Sequence, residues 1–117
     1  MTTTKTATYE NLTIIARARR GADVWDEFTV KAKLSKDERE ANPYRVDKFA
    51  EFVTETVSIE GELGFYWPSV GASEEFMRKA YQAWCDMSPA LMVIWANLIY
   101  DANQAPLPDE NVIPGNA

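Results

Sequence analysis

Histidine is absent from this chain of 117 residues, and cysteine occurs once, as Cys85. The first absence removes Ser-His-Asp and Cys-His nucleophilic systems together with the commonest metal ligand. The second excludes an intrachain disulfide framework and a cysteine-built zinc site, and fits a reducing compartment. The five glycines are scattered, so no phosphate-cradling loop is formed. Long apolar runs are missing as well. The most hydrophobic stretch, Ser88–Ala102, would make a helix of about 20–22 Å, short of a bilayer core of roughly 30 Å. Met1–Thr8 is polar and does not read as a signal peptide. Basic residues run out halfway along the chain. Residues 1–50 carry ten Lys/Arg against eight Asp/Glu, a balance of +2, whereas residues 51–117 carry only Arg78 and Lys79 against ten acids, a balance of −8. That acidic half repels nucleic acid and suits either a solvated surface or a basic protein partner.

What is present suffices for one small domain over residues 1–102, with residues 1–10 frayed and 103–117 a flexible, proline-containing tail. Ile14, Ala16 and Ala18 alternate with Thr13, Arg17 and Arg19, which predicts a strand over 12–18 leading to a turn at Arg20–Asp23. Residues 24–34 fit two patterns. Val30, Ala32 and Leu34 alternate as in a strand, while Trp25, Phe28 and Ala32 recur at helical spacing. Ser35–Ala41 is charged and reads as a short helical turn or a loop. Asn42-Pro43 opens a helix whose stripe of Val46, Phe49, Phe52/Val53 and Thr56/Val57 runs on until Gly61. A third helix starts after Ser73, with Phe76/Met77, Ala80, Tyr81 and Trp84 on one side. Ser88-Pro89 opens the last helix, apolar on almost every face, which predicts burial within the domain or against a partner. The short connection between these last two helices predicts an antiparallel hairpin. Between Gly61 and Gly71 the loop carries three consecutive aromatics, Phe65, Tyr66 and Trp67, which must cover a core or meet a partner.

Little chemistry is left to assign. Cys85 lies beside Trp84 near a helix C-terminus, a setting that leaves a thiol inert. Glu60 and Glu62 flank Gly61 beside the aromatic loop and could form a glycosidase-like acid pair, but acidic residues are abundant here. Arg17, Arg19, Arg20 and Trp25 resemble a basic-aromatic nucleic-acid patch, yet Asp23, Asp26 and Glu27 follow at once and favour a solvated, salt-bridged surface. No catalytic residue, cofactor or metal ligand emerges.

Gly61-Glu-Leu-Gly-Phe-Tyr-Trp-Pro, a helix with Tyr81 and Trp84, an apolar helix with Trp95 and Asn97, and then Ala102-Asn-Gln-Ala-Pro-Leu-Pro resemble, in kind and order, the tail assembly chaperones of long-tailed bacteriophages and prophages. Leu12-Thr-Ile-Ile-Ala-Arg-Ala-Arg-Arg-Gly looks like the opening stretch of some of them, so the likeness covers residues 12–110. The resemblance implies a non-enzymatic, mostly helical, acidic protein of the host bacterial cytoplasm, absent from the finished virion. Such a protein coats the tape-measure protein, holds its apolar helices soluble and helps recruit tail-tube subunits. Many of these proteins also have a longer, frameshifted form, of which this sequence carries no trace.

The resulting expectation is a mainly α fold: a small helical domain with a C-terminal antiparallel helix hairpin and a short N-terminal strand or β-hairpin. Its partners would be a tape-measure protein and a tail-tube protein, or further copies of itself, with neither nucleic acid nor membrane. A groove of Trp84, Leu91, Ile94, Trp95 and Leu98, joined by Tyr66 and Trp67, would take an amphipathic client helix. Loss of Trp95 or Leu98 should then weaken client binding more than folding. Two other readings fit the same composition: an acidic phage inhibitor or DNA mimic aimed at a host protein, and a structural tail or neck subunit.

Overall fold

The computed structural model describes residues 4–104. Its elements run β1 (Thr4–Tyr9), β2 (Leu12–Arg17), α1 (Gly21–Ala32), α2 (Lys36–Ala41), α3 (Pro43–Glu55), β3 (Thr56–Glu60), α4 (Glu74–Cys85) and α5 (Pro89–Gln104). Of the described residues 58% are helical and 17% lie in strands. The strands form one three-stranded antiparallel sheet, in the order β1-β2-β3. The fold is therefore α/β, which overturns the expected mainly α architecture.

Two strands account for that difference. Thr4–Tyr9, expected to fray, pairs along its whole length with β2 across a two-residue connection, Glu10-Asn11, whose first residue adopts φ 53°. The hairpin turn thus lies here and not at Arg20–Asp23, which begins α1. The second strand was hidden inside a helical pattern. Thr56 and Val57 continue the apolar stripe of α3, yet the helix stops at Glu55 and the chain passes directly into β3, with Thr56 already extended at φ −92°, ψ 113°. The β-branched residues of Thr56-Val-Ser-Ile favour that outcome. Here Ile15 pairs with Ser58 and Ala16 with Thr56, so Val57 is the extra residue of a bulge.

One face of the sheet is apolar. Leu12, Ile14 and Ala16 are buried, and the register brings Tyr9, Ala7 and Ile59 onto the same side. The other face carries Thr6, Thr8, Thr13 and Ser58. Helix α5 packs on β1 and β2, while α4 packs on α3. The expected hairpin of the last two helices is therefore replaced by a helix laid on a sheet. An all-round apolar helix can pack this way, because a sheet offers a broader apolar surface than α4 does. Leu91, Trp95, Leu98, Ile99 and Ala102 enter the core, but Val93 and Tyr100 remain exposed. Among the described residues no helix is long and apolar enough to cross a membrane. Asn103 and Gln104, expected in the tail, complete α5; the rest of that tail lies outside the described residues.

Local signals set the helix starts. Ser35 and Glu38 exchange side chain-to-backbone hydrogen bonds at 3.0 and 2.8 Å, fixing α2. Ser73 and Ser88 accept from Phe76 N and Ala90 N, both at 3.2 Å. After β3 the chain turns at Gly61, with φ 107°, where a Cβ would sit 2.2 Å from the carbonyl oxygen of Asn11. Only glycine allows the end of β3 to approach the β1–β2 turn so closely. Gly61→Ala should therefore destabilise the protein by more than about 1 kcal/mol, read as a lower urea midpoint at unchanged m-value.

Candidate protein-binding surface

The connection after β2 gathers the charged residues that the core admits. Arg17 donates from Nη1 and Nη2 to both carboxylate oxygens of Asp23, at 2.5 and 2.7 Å, and from Nη2 to the Thr54 carbonyl at 2.8 Å. Asp23 is fully buried and also accepts from the Arg20 backbone N–H at 2.6 Å, closing the first turn of α1. Two residues on, Arg19 Nε donates to the fully buried Glu55 at 3.0 Å, and its Nη2 forms an ion pair with Glu27 at 2.5 Å. That second contact is off the hydrogen-bonding direction. Asn103 joins α5 to the network, donating to Glu55 at 2.7 Å and accepting from the Arg19 backbone N–H at 2.8 Å. Arg17 and Arg19 thus hold α1, α3 and α5 to the end of β2. The expected salt-bridged surface is in fact salt-bridged, but much of it is buried.

Burial opposes ionisation of Asp23, yet the hydrogen bonds from Arg17 and the Arg20 backbone outweigh it and hold the carboxyl below its usual range. For Glu55 burial wins over Asn103 and Arg19, and the carboxyl is raised; Glu27 is raised by burial against the pull of Arg19. The Asp23 contribution is therefore present above the ordinary value of 3.8 and is lost as pH falls through its lowered folded value. Glu27 and Glu55 act in the opposite sense, adding stability as pH falls through their raised folded values toward the ordinary 4.5.

This network decides which side of α1 faces water. At about 100° per residue, Asp23, Glu27 and Val30 share one side of the helix, and Trp25, Phe28 and Ala32 the other. The arginines draw the acids inward, so the aromatic side turns outward. Trp25 is 72% exposed and Phe28 55%, with ring centroids 5.9 Å apart and the exposed Val24 beside them. Lys31 Nζ lies 5.8 Å from the Phe28 ring centroid and 3.0 Å from Asp47, pinning one rim of the patch.

The groove expected from the sequence is not on the surface. Trp84, Leu91, Trp95 and Leu98 are buried, and Ile94 is half-buried. The Trp95 ring lies tilted at 4.5 Å from Trp67 and 5.4 Å from Phe52, while Trp84 meets Phe49 at 5.4 Å and Phe52 at 5.6 Å. The Trp95 indole N–H donates to Thr56 Oγ1 at 3.0 Å, tying α5 to the start of β3. These side chains are the protein's own core, which corrects their assignment to a client. The aromatic loop divides: Phe65 and Trp67 cap the core, whereas Tyr66 is 85% exposed. Sequence reasoning missed the α1 patch because residues 24–34 also fitted a strand. The usable signal was the spacing of Asp23 and Glu27 behind Arg17 and Arg19, which marks the opposite side of the helix as the one left to solvent.

Cys85, the last residue of α4, is half-buried. Burial, with Cys85 alongside, pushes the Tyr81 hydroxyl up to about 12. Among the described residues no three His, Cys, Asp or Glu side chains cluster so as to hold a metal ion. Glu60 and Glu62 are both exposed. Comparisons with protein-family models, curated proteins and solved structures give no match.

Two outcomes test this account of the surface. Replacing both Trp25 and Phe28 with serine should change unfolding free energy by no more than about 0.5 kcal/mol, whereas Trp95→Ala should lower it by about 3–5 kcal/mol, both read by urea denaturation. The thermal midpoint should hold or rise as pH is lowered from neutrality toward 4.5, then fall below 3.8 as Asp23 takes up a proton.

Proposed function

We propose that this protein is a non-enzymatic tail assembly chaperone of a long-tailed phage or prophage, acting in the host bacterial cytoplasm on the tape-measure protein. The observation that carries the reading is the α1 face of Val24, Trp25 and Phe28, held toward solvent by ion pairs on the far side of the same helix. Exposed aromatics so fixed favour recognition of an apolar helix, since their orientation needs no ordering on binding. The sequence likeness over residues 12–110 supplies the family. The client contact thus moves from the buried Trp84–Leu98 set to α1.

Each large apolar side chain contributes roughly 1.5–3 kcal/mol gross when fully buried, and association consumes much of that. A patch of this size binds a single client helix weakly. Useful protection of a long client then requires many copies along it, consistent with a small chaperone. Recruitment of tail-tube subunits is the further role that the resemblance implies.

Co-expression tests the reading. The wild-type chain should raise the soluble yield of a cognate tape-measure protein, and the Trp25→Ser, Phe28→Ser variant should lose most of that effect while remaining folded. An acidic inhibitor of a host protein would instead show binding that falls steeply with added salt and is indifferent to Trp25. Equal client protection by the variant and the wild type would remove α1 from the mechanism.

A further inference from the structure

The sheet has a second feature that the client reading does not use. β3 is an edge strand, paired on one side to β2. Its outer edge borders a cleft of about 1160 Å³, walled on the far side by the loop that follows Gly61. Val57, Ile59, Leu63, Phe65, Tyr66 and Trp67 line it. Among the described residues no backbone hydrogen bond joins the loop to β3, so the main-chain groups along that edge face the cleft unpaired. The Trp67 indole N–H is likewise buried without an acceptor among the described residues. A strand edge with free main-chain groups beside a partly apolar cleft is an arrangement that accepts an added strand.

Charge restricts the occupant further. Glu60 ends β3 and Glu62 follows it, both exposed. A smaller cleft of about 510 Å³ adjoins this end, shares Glu62, Leu63, Gly64 and Phe65, and adds Glu10 and Asp86. Among the described residues lining the two clefts the one cation is Arg17, which lies toward the Thr54 end and is held by Asp23. The negative potential therefore gathers at the C-terminal end of β3.

We propose that the cleft beside β3 binds an extended segment of another protein, with alternating apolar side chains and basic residues at its N-terminal end, which adds to the sheet as a fourth, antiparallel strand. Antiparallel addition continues the two existing ladders and sets the segment's N-terminus against Glu60 and Glu62. The apolar side chains enter the cleft at alternate positions, between Val57 and Ile59 on one wall and Phe65 and Trp67 on the other.

The experiment uses the full chain, isotope-labelled for amide NMR, titrated with the amidated peptide Lys-Lys-Val-Thr-Val-Thr-Val. Shifts should concentrate at Thr56–Glu60 and Leu63–Val70 and spare Trp25 and Phe28. N-methylation of the peptide at alternate residues, tried in both phases, should weaken binding about tenfold or more in one phase. Exchanging the lysines for glutamates should weaken it in low salt, as should the surface variant Glu60→Lys, Glu62→Lys. The proposal is overturned by shifts confined to α1, by an absence of binding, or by equal affinity of the parent peptide and both N-methylated forms. It is also overturned if the same shifts arise from protein concentration alone, which would give the edge to a second copy. Binding that emerges only after removal of residues 105–117 would give it to the chain's own terminus. Because the client assay reads α1 and this one reads β3, either can fail without the other.

Discussion

Two arginines leaving the end of a strand organise this protein. Arg17 and Arg19 reach Asp23 on α1, Glu55 at the end of α3 and, through Asn103, the end of α5. Buried ion pairs of this kind are poor evidence of net stability, because desolvation offsets most of their attraction. What they supply is orientation. A fully buried carboxylate with no partner is far more costly than a paired one, so packings of α1 or α3 that separate Asp23 or Glu55 from the arginines are disfavoured. Turning α1 about its axis to bury Trp25 and Phe28 would carry Asp23 away from Arg17 and leave its carboxylate without that partner. The network excludes that alternative, so the exposed aromatic face follows from polar chemistry.

The aromatic core complements this arrangement. Phe49, Phe52, Trp67, Trp84 and Trp95 draw α3, the loop, α4 and α5 into one cluster of tilted and edge-on rings. Non-directional burial assembles these elements, while the Trp95 indole hydrogen bond to Thr56 and the Gly61 approach to Asn11 fix where the sheet sits beneath them. Among the described residues, exposed aromatics remain on α1, at Tyr44, at Tyr66, at Phe76 and at Tyr100.

Much of the helical content was legible from caps. Pro43, Ser73 and Ser88-Pro89 each mark a start within a residue of the observed one, because capping is a local interaction. The strand at 12–17 was legible from alternation. What escaped were elements whose identity depends on distant partners. Thr4–Tyr9 is a strand because β2 lies beside it, and nothing within its six residues requires order. Thr56 and Val57 satisfy a helical stripe as well as a strand, and Glu55, anchored by Arg19, decides between the two. The Trp84–Leu98 side chains were assigned to a partner for a related reason. Apolar periodicity shows that a face is consistent with burial, and it placed Trp84, Leu91, Trp95 and Leu98 correctly on one. It does not say whether the covering surface comes from the same chain. The sheet beneath α5 and the α3 rings against Trp84 supply that cover within the chain.

Helix α3 runs into β3 without an intervening loop, and this gives the chain a form of phase control. Arg19 holds Glu55 on the last helical turn and Trp95 donates to Thr56, so the junction is held on both sides. Because a strand shifted by one residue turns every side chain to the opposite face, a residue added to or lost from the end of α3 would put β3 out of register with β2, where Val57 already forms a bulge. Length variation among descendants of this sequence should accordingly be accepted near the open positions Gly64 and Gly71, away from the anchored Phe65 and Trp67, and be rejected between Phe52 and Gly61, where the helix acts as the ruler of the sheet.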